Sequence, residues 1–276
     1  VLGANPRGAS NATEFSRQTE KLVTTILSID ADILGLVELE NDFLAGSSGN
    51  AIENLVSALN AIVGAGTYAW VDPNSQFVGN DAVSNGLVYK PAKVSIVALD
   101  TLVFEESSAA TTFATANVLN PYVGVNDRVF DFRRNRPALA ATFQDTAGEQ
   151  LTVAVNHFKS KSDTNLEDLA EEAQIALDAG ATQFSQTDID NLLADPNYDQ
   201  ADGQGFWNAV RTDAAIELVQ WLSDTTSSGY AQGMVSDRDF LIIGDLNAYA
   251  QEDPVVALES QGYGDLAAAY NPGTRS

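Results

Sequence analysis

Apolar residues recur along the chain first at a helical and then at a strand spacing. From Glu14 onward, four of them keep to one stripe of a 3.6-residue period and predict an amphipathic helix: Phe15, Leu22, Ile26 and Ile29. Residues 32–37 are almost wholly apolar, which predicts a strand buried on both faces that ends beside Glu38. Asn50, with Glu53 three positions later, predicts the cap of a second helix. The buried stripe of that helix is expected to comprise Ile52, Leu55, Val56, Leu59 and Ile62.

Shorter segments of strand-like composition follow. They predict strands at 68–71, 86–89 and 94–104. Residues 137–143 and 151–158 flank a glycine-containing turn and predict a hairpin, with His157 near the end of its second strand. A helix is expected from about Asn208 to Ser223, with these residues facing inward: Ala214, Leu218, Trp221 and Leu222. The apolar run 240–244 then predicts a second buried strand that ends at Asp245.

One segment stands out by its charge. Eleven acidic residues and no lysine or arginine lie between Ser162 and Asn208. Such a stretch is typical of a solvated insertion, so we interpret about 162–208 mostly as loop around one helix over 166–178. No repeat, low-complexity tract or linker divides the chain. The sequence therefore predicts a single α/β domain over residues 1–276 with an acidic insertion.

Charge and two residue counts exclude several classes of protein. The 276 residues include 38 acidic and 14 basic side chains, a formal net charge of −24, with no cysteine and one histidine. The absence of cysteine excludes disulfides, thiolate nucleophiles, zinc fingers and iron–sulfur clusters, and a single histidine excludes multi-histidine metal sites. The acidity opposes unassisted binding to nucleic acid or to an anionic membrane, although a metal ion would reverse that repulsion locally.

Polar residues that could carry chemistry lie where predicted strands end: Glu38, His157, and the pair Asp245 and Asn247. Ligands of helix-covered sheets bind beyond the carboxyl ends of strands, so convergence of these residues would build a site. Taken singly, each has a structural alternative. The two carboxylates would then cap the following loops, and His157 would be a half-buried histidine with satisfied hydrogen bonds.

The charge around His157 favours a functional site. Residues 128–161 carry six basic and three acidic side chains, a net charge of +3 in a strongly acidic chain. Cations beside a histidine and carboxylates suit an anionic substrate such as a phosphodiester, with the carboxylates holding a divalent ion. Ion pairing that relieves the acidic surface remains the alternative for Arg128, Arg133 and Arg134.

Four motifs, in this order, resemble the endonuclease/exonuclease/phosphatase superfamily. They are DILGLVELEN at 32–41, NRPALA at 135–140, VNHFKSK at 155–161 and GDLNAY at 244–249. Three further segments resemble the bacterial extracellular-nuclease branch of this superfamily. They are EFSRQ at 14–18, DGQG at 202–205 and NAYAQEDP at 247–254. The resemblance runs from about Gly8 to Tyr270.

The resemblance implies a fold and a reaction. The implied fold is a sandwich of two β-sheets flanked by helices, a deoxyribonuclease-like four-layer architecture with the active site at one end of the sheets. Members of the superfamily hydrolyse phosphoester bonds with Mg²⁺ or a similar ion such as Mn²⁺. By the same resemblance, Glu38 is the metal-binding glutamate, and Asp245 both contributes to the metal site and activates the attacking water.

The resemblance also assigns the residues that bind phosphate. His157 is expected to bind the scissile phosphate and Asn247 to position it, with Arg136 and Lys159 as substrate contacts. Asp81 is a secondary candidate that would orient His157. A histidine beside carboxylates is expected to have its cationic form favoured.

Two departures from the family pattern qualify these expectations. The family has a second histidine on its last strand and an asparagine on its first strand, and both strands are expected to be missing here. We therefore expect a fragment of a longer protein. Extracellular members also often carry a cysteine pair near DGQG, where this chain has Phe206 and Trp207. In place of that cysteine pair, the acidic residues of the insertion offer ligands for a Ca²⁺ ion. Exposure of these residues to solvent without a bound metal is the favoured alternative.

The expected function is a Mg²⁺-dependent nuclease that is secreted and cleaves DNA, with RNA as an alternative substrate. A monomer is expected, with no membrane and no protein partner. Two alternatives stay open: a phosphatase or phosphodiesterase acting on a smaller or lipid phosphoester, and a catalytically inactive binding domain, because fold does not fix substrate.

Overall fold

The structure is a computed structural model and describes residues 9–47, 49–123, 135–226, 229–230 and 239–270. In chain order its elements are α1 (Ala12–Ile29), β1 (Ile33–Glu40), α2 (Ala51–Val63), β2 (Ala69–Trp70), β3 (Val83–Tyr89), β4 (Val94–Leu102), α3 (Ser107–Leu119), β5 (Arg136–Asp145), β6 (Gln150–His157), α4 (Leu166–Asp178), α5 (Gln186–Leu193), α6 (Asn208–Ser223), β7 (Phe240–Asp245), α7 (Asp253–Ser260) and α8 (Leu266–Tyr270).

The chain divides into two compact units. The first comprises Val1–Val103, Arg136–His157 and Trp221–Asp245, and the second comprises Phe104–Asn135, Phe158–Gln220 and Leu246–Ser276. The prediction of one domain over residues 1–276 stays a prediction.

Both sheets belong to the first unit. In one sheet, β1 and β2 each pair antiparallel with the central strand β3. The other has the order β4-β5-β6-β7, antiparallel except that β6 and β7 run parallel. The apolar core drawn from both sheets includes Val71, Leu87, Leu139, Phe143, Val153 and Val155. Two sheets flanked by helices confirm the predicted α/β fold class.

A glycine allows the two sheets to approach closely. A Cβ atom on Gly35 of β1 would lie 2.5 Å from Cδ1 of Ile243 and 3.2 Å from Cγ2 of Val155. A larger residue at position 35 would have to displace the end of the Ile243 side chain and would crowd Val155. The absence of a side chain therefore brings the strand that carries Glu38 against the strands that end in His157 and Asp245.

The first two helices of this unit begin at the asparagines that precede them. The side chain of Asn11 accepts a hydrogen bond from the backbone of Glu14, and the Asn50 side chain accepts one from Glu53, as predicted for the second helix. The Glu53 carboxylate accepts from the backbone of Gly46, so only half of a capping box forms.

The predicted apolar stripes are partly wrong. Only Ile26 of the α1 stripe is buried, because the contact face is rotated toward Val23. The remaining stripe positions are more than half exposed: Phe15, Leu22 and Ile29 in α1, and Ile62 at the end of α2. The other four predicted α2 positions are buried.

The two strands predicted to be buried on both faces are edge strands within the part of the chain that the structure describes. β1 pairs only with β3, and β7 pairs only with β6. Most of their residues are half-buried. An apolar run thus correctly indicated strands at both places, but it does not distinguish an edge strand from a central one.

The acidic segment lies in the second unit, where α4 confirms the helix predicted over 166–178 and α5 is a further helix that was not predicted. α4 and α5 pack with α3 around a core that includes Leu119, Leu166, Leu169, Ala173, Ile189 and Leu192. α5 begins at a capping box in which Ser185 and Asp188 bond each other's backbone, a signal that the acidic composition obscured. The inward-facing residues predicted for α6 are all buried. No helix among the described residues is both long and apolar enough to cross a membrane.

Candidate active site

Three residues of the predicted site form a row across adjacent strands of the first unit. Arg136 is the register partner of His157, and His157 is the register partner of Asp245. His157 and Asp245 end the parallel strands β6 and β7, so their side chains emerge at the same edge of the sheet. The His157 Nε2 atom lies 3.8 Å from Oδ2 of Asp245, which is beyond hydrogen-bond distance.

Arg136 connects His157 to Asp81. Its Nη1 atom lies 3.1 Å from His157 Nδ1, and its Nε atom donates to Oδ2 of Asp81 at 3.1 Å. Because a guanidinium can only donate, Nδ1 of His157 is the acceptor and the neutral imidazole carries its proton on Nε2. The expectation that Asp81 orients His157 is therefore modified: Asp81 holds Arg136, and Arg136 holds His157.

The environment of His157 does not favour the cationic form that was predicted for a histidine beside carboxylates. Burial, and next the positive charge of Arg136, lower the pKa of His157 below its usual value, although Asp245, Glu38 and Asp81 each act to raise it. The ring is only 5% exposed, so the loss of hydration outweighs the nearby carboxylates. His157 is thus suited to act as a neutral Nε2–H hydrogen-bond donor.

Glu38 lies in an irregularity of β1 rather than at its end. Between Leu36 and Leu39 the strand has one residue more than its partner β3, and Glu38 has a φ of 60°. This left-handed conformation is unfavourable for a residue with a side chain. Bulges of this kind re-aim side chains next to active sites. The bulge leaves Glu38 exposed at the site edge, where its charge acts on His157.

The residues present fit a hydrated divalent ion. The exposed carboxylates of Glu38 and Asp245 both act electrostatically on His157. Among the described residues, no group of three or more His, Asp or Glu side chains could hold a metal ion by itself. Mg²⁺ commonly binds through one or two carboxylates and keeps several waters, and Mn²⁺ favours similar ligands. The donor set therefore suits Mg²⁺ or Mn²⁺ with water completing the coordination.

Two buried asparagines support this site and were not predicted. The Asn41 side chain donates to the backbone oxygens of Val78 and Asp81 and accepts from the Val78 amide, which fixes the loop that carries Asp81. Asn85 of β3 donates to the carbonyl of Pro137, directly after Arg136. Asn41 ends the first family-like motif, and that is the only sequence signal for its role.

Two predicted site residues, Asn247 and Lys159, belong to the second unit. Asn247 has a φ of 48° and donates to the carbonyl of Phe158 at 2.9 Å. Lys159 is buried, and its ammonium lies 3.0 Å from Ser162 Oγ and 5.1 Å from the ring centroid of Trp207. Their predicted roles toward phosphate stay predictions.

Arg211 organises the backbone near Lys159 and was also not predicted. This fully buried side chain donates to the carbonyl oxygens of Lys159, Gln204 and Phe206. Burial lowers the pKa of its guanidinium to about 10. The DGQG segment therefore contributes a carbonyl to the structural core of this unit.

The remaining candidates are three arginines of the basic stretch and the acidic insertion. Arg128, Arg133 and Arg134 lie outside the described residues. In the acidic insertion, Asp195 is buried, accepts from Thr112 and Asn197, and has a pKa raised by that burial. The expectation of Ca²⁺ binding there stays a prediction.

Comparison with known proteins gives similarities of fold only. No family model and no curated protein matches the chain. Similar solved structures include the catalytic domain of human Nocturnin with bound sulfate, at 14% identity and a TM-score of 0.47, covering 91% of this chain and 64% of that one. An endonuclease/exonuclease/phosphatase from Bacteroides vulgatus has 14% identity and a TM-score of 0.46, with 94% and 67% coverage. A family protein of that name from Bacteroides thetaiotaomicron has 12% identity and a TM-score of 0.46, with 94% and 65% coverage.

Two of these three proteins carry the name of the family that the sequence motifs resemble. The chain spans about two thirds of the length of each of the three proteins. None of their descriptions mentions the extracellular-nuclease branch.

Proposed function

We propose that this chain is a divalent-metal-dependent phosphodiester hydrolase that acts on nucleic acid. The observation that carries the proposal is the row Arg136–His157–Asp245 at one sheet edge, together with Glu38, which lies in a bulge of β1 and whose charge acts on His157. It combines a hydrogen-bond donor of fixed tautomer with two exposed carboxylates. Phosphoester hydrolysis needs this set of groups: a positioned water, donors to the phosphate oxygens and ligands for a divalent ion.

Each residue has a role that follows from its position. Asp245 is exposed, so it can accept a hydrogen bond and then a proton from the attacking water. His157, which carries no proton on Nδ1 because that atom accepts from Arg136, donates from Nε2 to a non-bridging phosphate oxygen. Asn247 and Lys159 are the further donors that the motifs assign. A divalent ion bound at Glu38 and Asp245 would supply neutralisation of the charge that develops on the phosphate.

The narrower proposal is an extracellular DNA nuclease. Its support is the resemblance of three segments to that branch and the basic stretch 128–161, the part of the sequence that carries a net charge of +3. At a net charge of −24, the chain repels DNA at long range, so cleavage should depend on divalent ions for binding as well as for chemistry.

Plasmid cleavage by the 276-residue chain tests the proposal. With Mg²⁺ or Mn²⁺ the chain should nick and degrade the plasmid, and excess EDTA should stop the reaction. Asp245→Ala and His157→Ala should each lower the rate at least about 100-fold without loss of secondary structure by circular dichroism. Glu149→Gln, an exposed acid in the hairpin turn, is the matched control and should keep the wild-type rate.

Two results would overturn the proposal. One is cleavage that continues in EDTA, and the other is Asp245→Ala or His157→Ala with near-normal rates. Hydrolysis of 4-nitrophenyl phosphate without any cleavage of DNA or RNA would show a phosphatase instead of a nuclease.

A further inference from the structure

The loop after β7 is held rigidly by side chains of the second unit. Asp253 closes it with hydrogen bonds to Asn208 at 2.7 Å and to Gln204 at 3.3 Å. The buried carboxylate of Glu252 forms an ion pair with Lys161. The Glu252 amide also donates to the carbonyl of Tyr249 at 2.9 Å, which closes a turn. The backbone that carries Tyr249 is therefore fixed, while Tyr249 itself is exposed.

Tyr249 presents an aromatic ring to solvent on this fixed turn. The residue is 61% exposed, and the ammonium of Lys161 lies 4.6 Å from the ring centroid. A second lysine–aromatic pair in the same unit, Lys159 with Trp207, is buried on both sides. Burial explains the Lys159 pair as part of the core, whereas the Lys161 pair leaves a large apolar ring uncovered.

Tyr249 belongs to the family-like motif that also contains Asp245. It follows Asp245 by four residues, and it ends the motif GDLNAY at 244–249. The ring is therefore part of the same motif as the carboxylate proposed to activate water. Nucleobases have a planar π-face that stacks on such a ring.

We propose that Tyr249 is a stacking surface for a nucleobase of the substrate. This rests on the proposed function and names nucleic acid as its substrate class. Bases stack on aromatic side chains in a manner tolerant of sequence, and a cation beside the ring strengthens the contact. Because Glu252 neutralises Lys161, the ring rather than a net charge supplies the recognition, so the contribution is expected to change little with salt.

A comparison of binding to a base-bearing oligomer and to a base-free oligomer tests the proposal. The ligands are a fluorescent single-stranded DNA oligonucleotide and a tetrahydrofuran oligomer of the same length, which has the same phosphates and no bases. In anisotropy titrations with EDTA at about 0.15 M NaCl, where the repulsion between the acidic chain and DNA is largely screened, the wild-type chain should bind the base-bearing strand about 5- to 150-fold more tightly. Tyr249→Ala should remove this preference, and Tyr249→Phe should retain it.

Tyr270→Ala is the matched control, since Tyr270 is 86% exposed on a different element and should not affect the preference. Equal binding of both oligomers by the wild type, or a preference that survives in Tyr249→Ala, would overturn the inference. Because the titrations need no turnover, they separate it from the proposed function. Metal-dependent cleavage without base preference would support the proposed hydrolase and overturn the stacking role of Tyr249. Base preference without cleavage would support the stacking role and overturn the proposed hydrolase.

Discussion

The Nη1 atom of Arg136 lies 3.1 Å from Nδ1 of His157, while Nε of the same guanidinium donates to Asp81. Two donor groups of Arg136 thus bind other side chains of the protein and are not available to substrate. Its Nη2 group can still face a phosphate, as the sequence motif suggests, but its contacts make it first a positioning residue. It fixes the tautomer and the ring orientation of the single histidine in the chain.

Arg136→Lys is therefore expected to lower kcat about 10- to 100-fold with little change in KM. A lysine keeps the charge, but its single ammonium cannot bond Asp81 and His157 in the same fixed geometry. Steady-state kinetics on an oligonucleotide separate the two constants. Lys93→Ala, in an exposed turn, is the control and should change neither. A KM that rises while kcat holds would show that Arg136 mainly binds phosphate.

Local signals in the sequence correctly indicated much of this fold. The Asn50 cap, the hairpin around the glycine-containing turn and the strands that end in His157 and Asp245 are short-range features, and the structure contains them all. Where the pattern failed, the deciding contact was distant along the chain. Ile62 has the right period for burial, but no element in the described part of the chain covers it.

The candidate site shows the same division. Predicted strand ends and the family resemblance selected Glu38, His157 and Asp245 as candidates, and the structure places His157 beside Asp245. The bulge at Glu38 and the contact between Asp81 and Arg136 depend on pairing between strands and on a contact 55 positions apart along the chain. A single sequence contains no local signal for either, so the lowered pKa of His157 could not be foreseen.

Asn41→Ala is expected to destabilise the chain by about 1–3 kcal/mol and to lower activity together with stability. The change removes three hydrogen bonds to the Val78–Asp81 loop and leaves buried backbone groups of Val78 without partners. Urea unfolding followed by circular dichroism gives the change in the free energy of unfolding. Asn60→Ala is the comparison, because that half-buried side chain anchors a loop at Tyr68, away from the site.

Both variants should lose stability, but only Asn41→Ala should lower kcat at a temperature where both remain folded. Equal activity of the two would contradict a positioning role for Asn41.

Tyr230→Phe tests a buried network on the four-stranded sheet. The Tyr230 hydroxyl lies 2.8 Å from Thr142 Oγ1, which lies 2.7 Å from Thr152 Oγ1. Burial raises the pKa of Tyr230 to about 12. A pKa raised on folding stabilises the protein fully below the unfolded value near 10, and that contribution is lost as the pH rises toward 12. Ionisation of Tyr230 should lower the free energy of unfolding of wild type by at most about 3 kcal/mol between about pH 10 and pH 12. Tyr230→Phe has no hydroxyl to ionise and should not show this loss.

The measurement is the difference in the free energy of unfolding between wild type and Tyr230→Phe at pH 9 and pH 11.5. Taking the difference cancels the other groups that titrate in alkali. At pH 9 the variant should be about 1 kcal/mol less stable because a hydrogen bond to Thr142 is lost. A gap that stays constant with pH would show that Tyr230 is not protected from ionisation.

Glu38→Gly should stabilise the chain and impair its metal site at the same time. At a φ of 60°, glycine avoids a conformational cost of about 1–2 kcal/mol, offset in part by the greater freedom of glycine in the unfolded chain. A net gain of about 0.5–1 kcal/mol in EDTA is expected. Glu38→Ala is the matched variant, because it removes the carboxylate but keeps the left-handed residue. Urea unfolding in EDTA and in Mg²⁺ measures both effects.

Bound Mg²⁺ stabilises the folded state in proportion to the logarithm of its concentration over Kd, so wild type should gain stability in Mg²⁺ and both variants should gain less. The strain at position 38 would then be the structural requirement for aiming a carboxylate at the site edge. Equal stabilities of Glu38→Gly and Glu38→Ala in EDTA would show that the bulge carries no strain. A full Mg²⁺ response in Glu38→Ala would remove Glu38 from the metal site and leave Asp245 as its one carboxylate in this proposal.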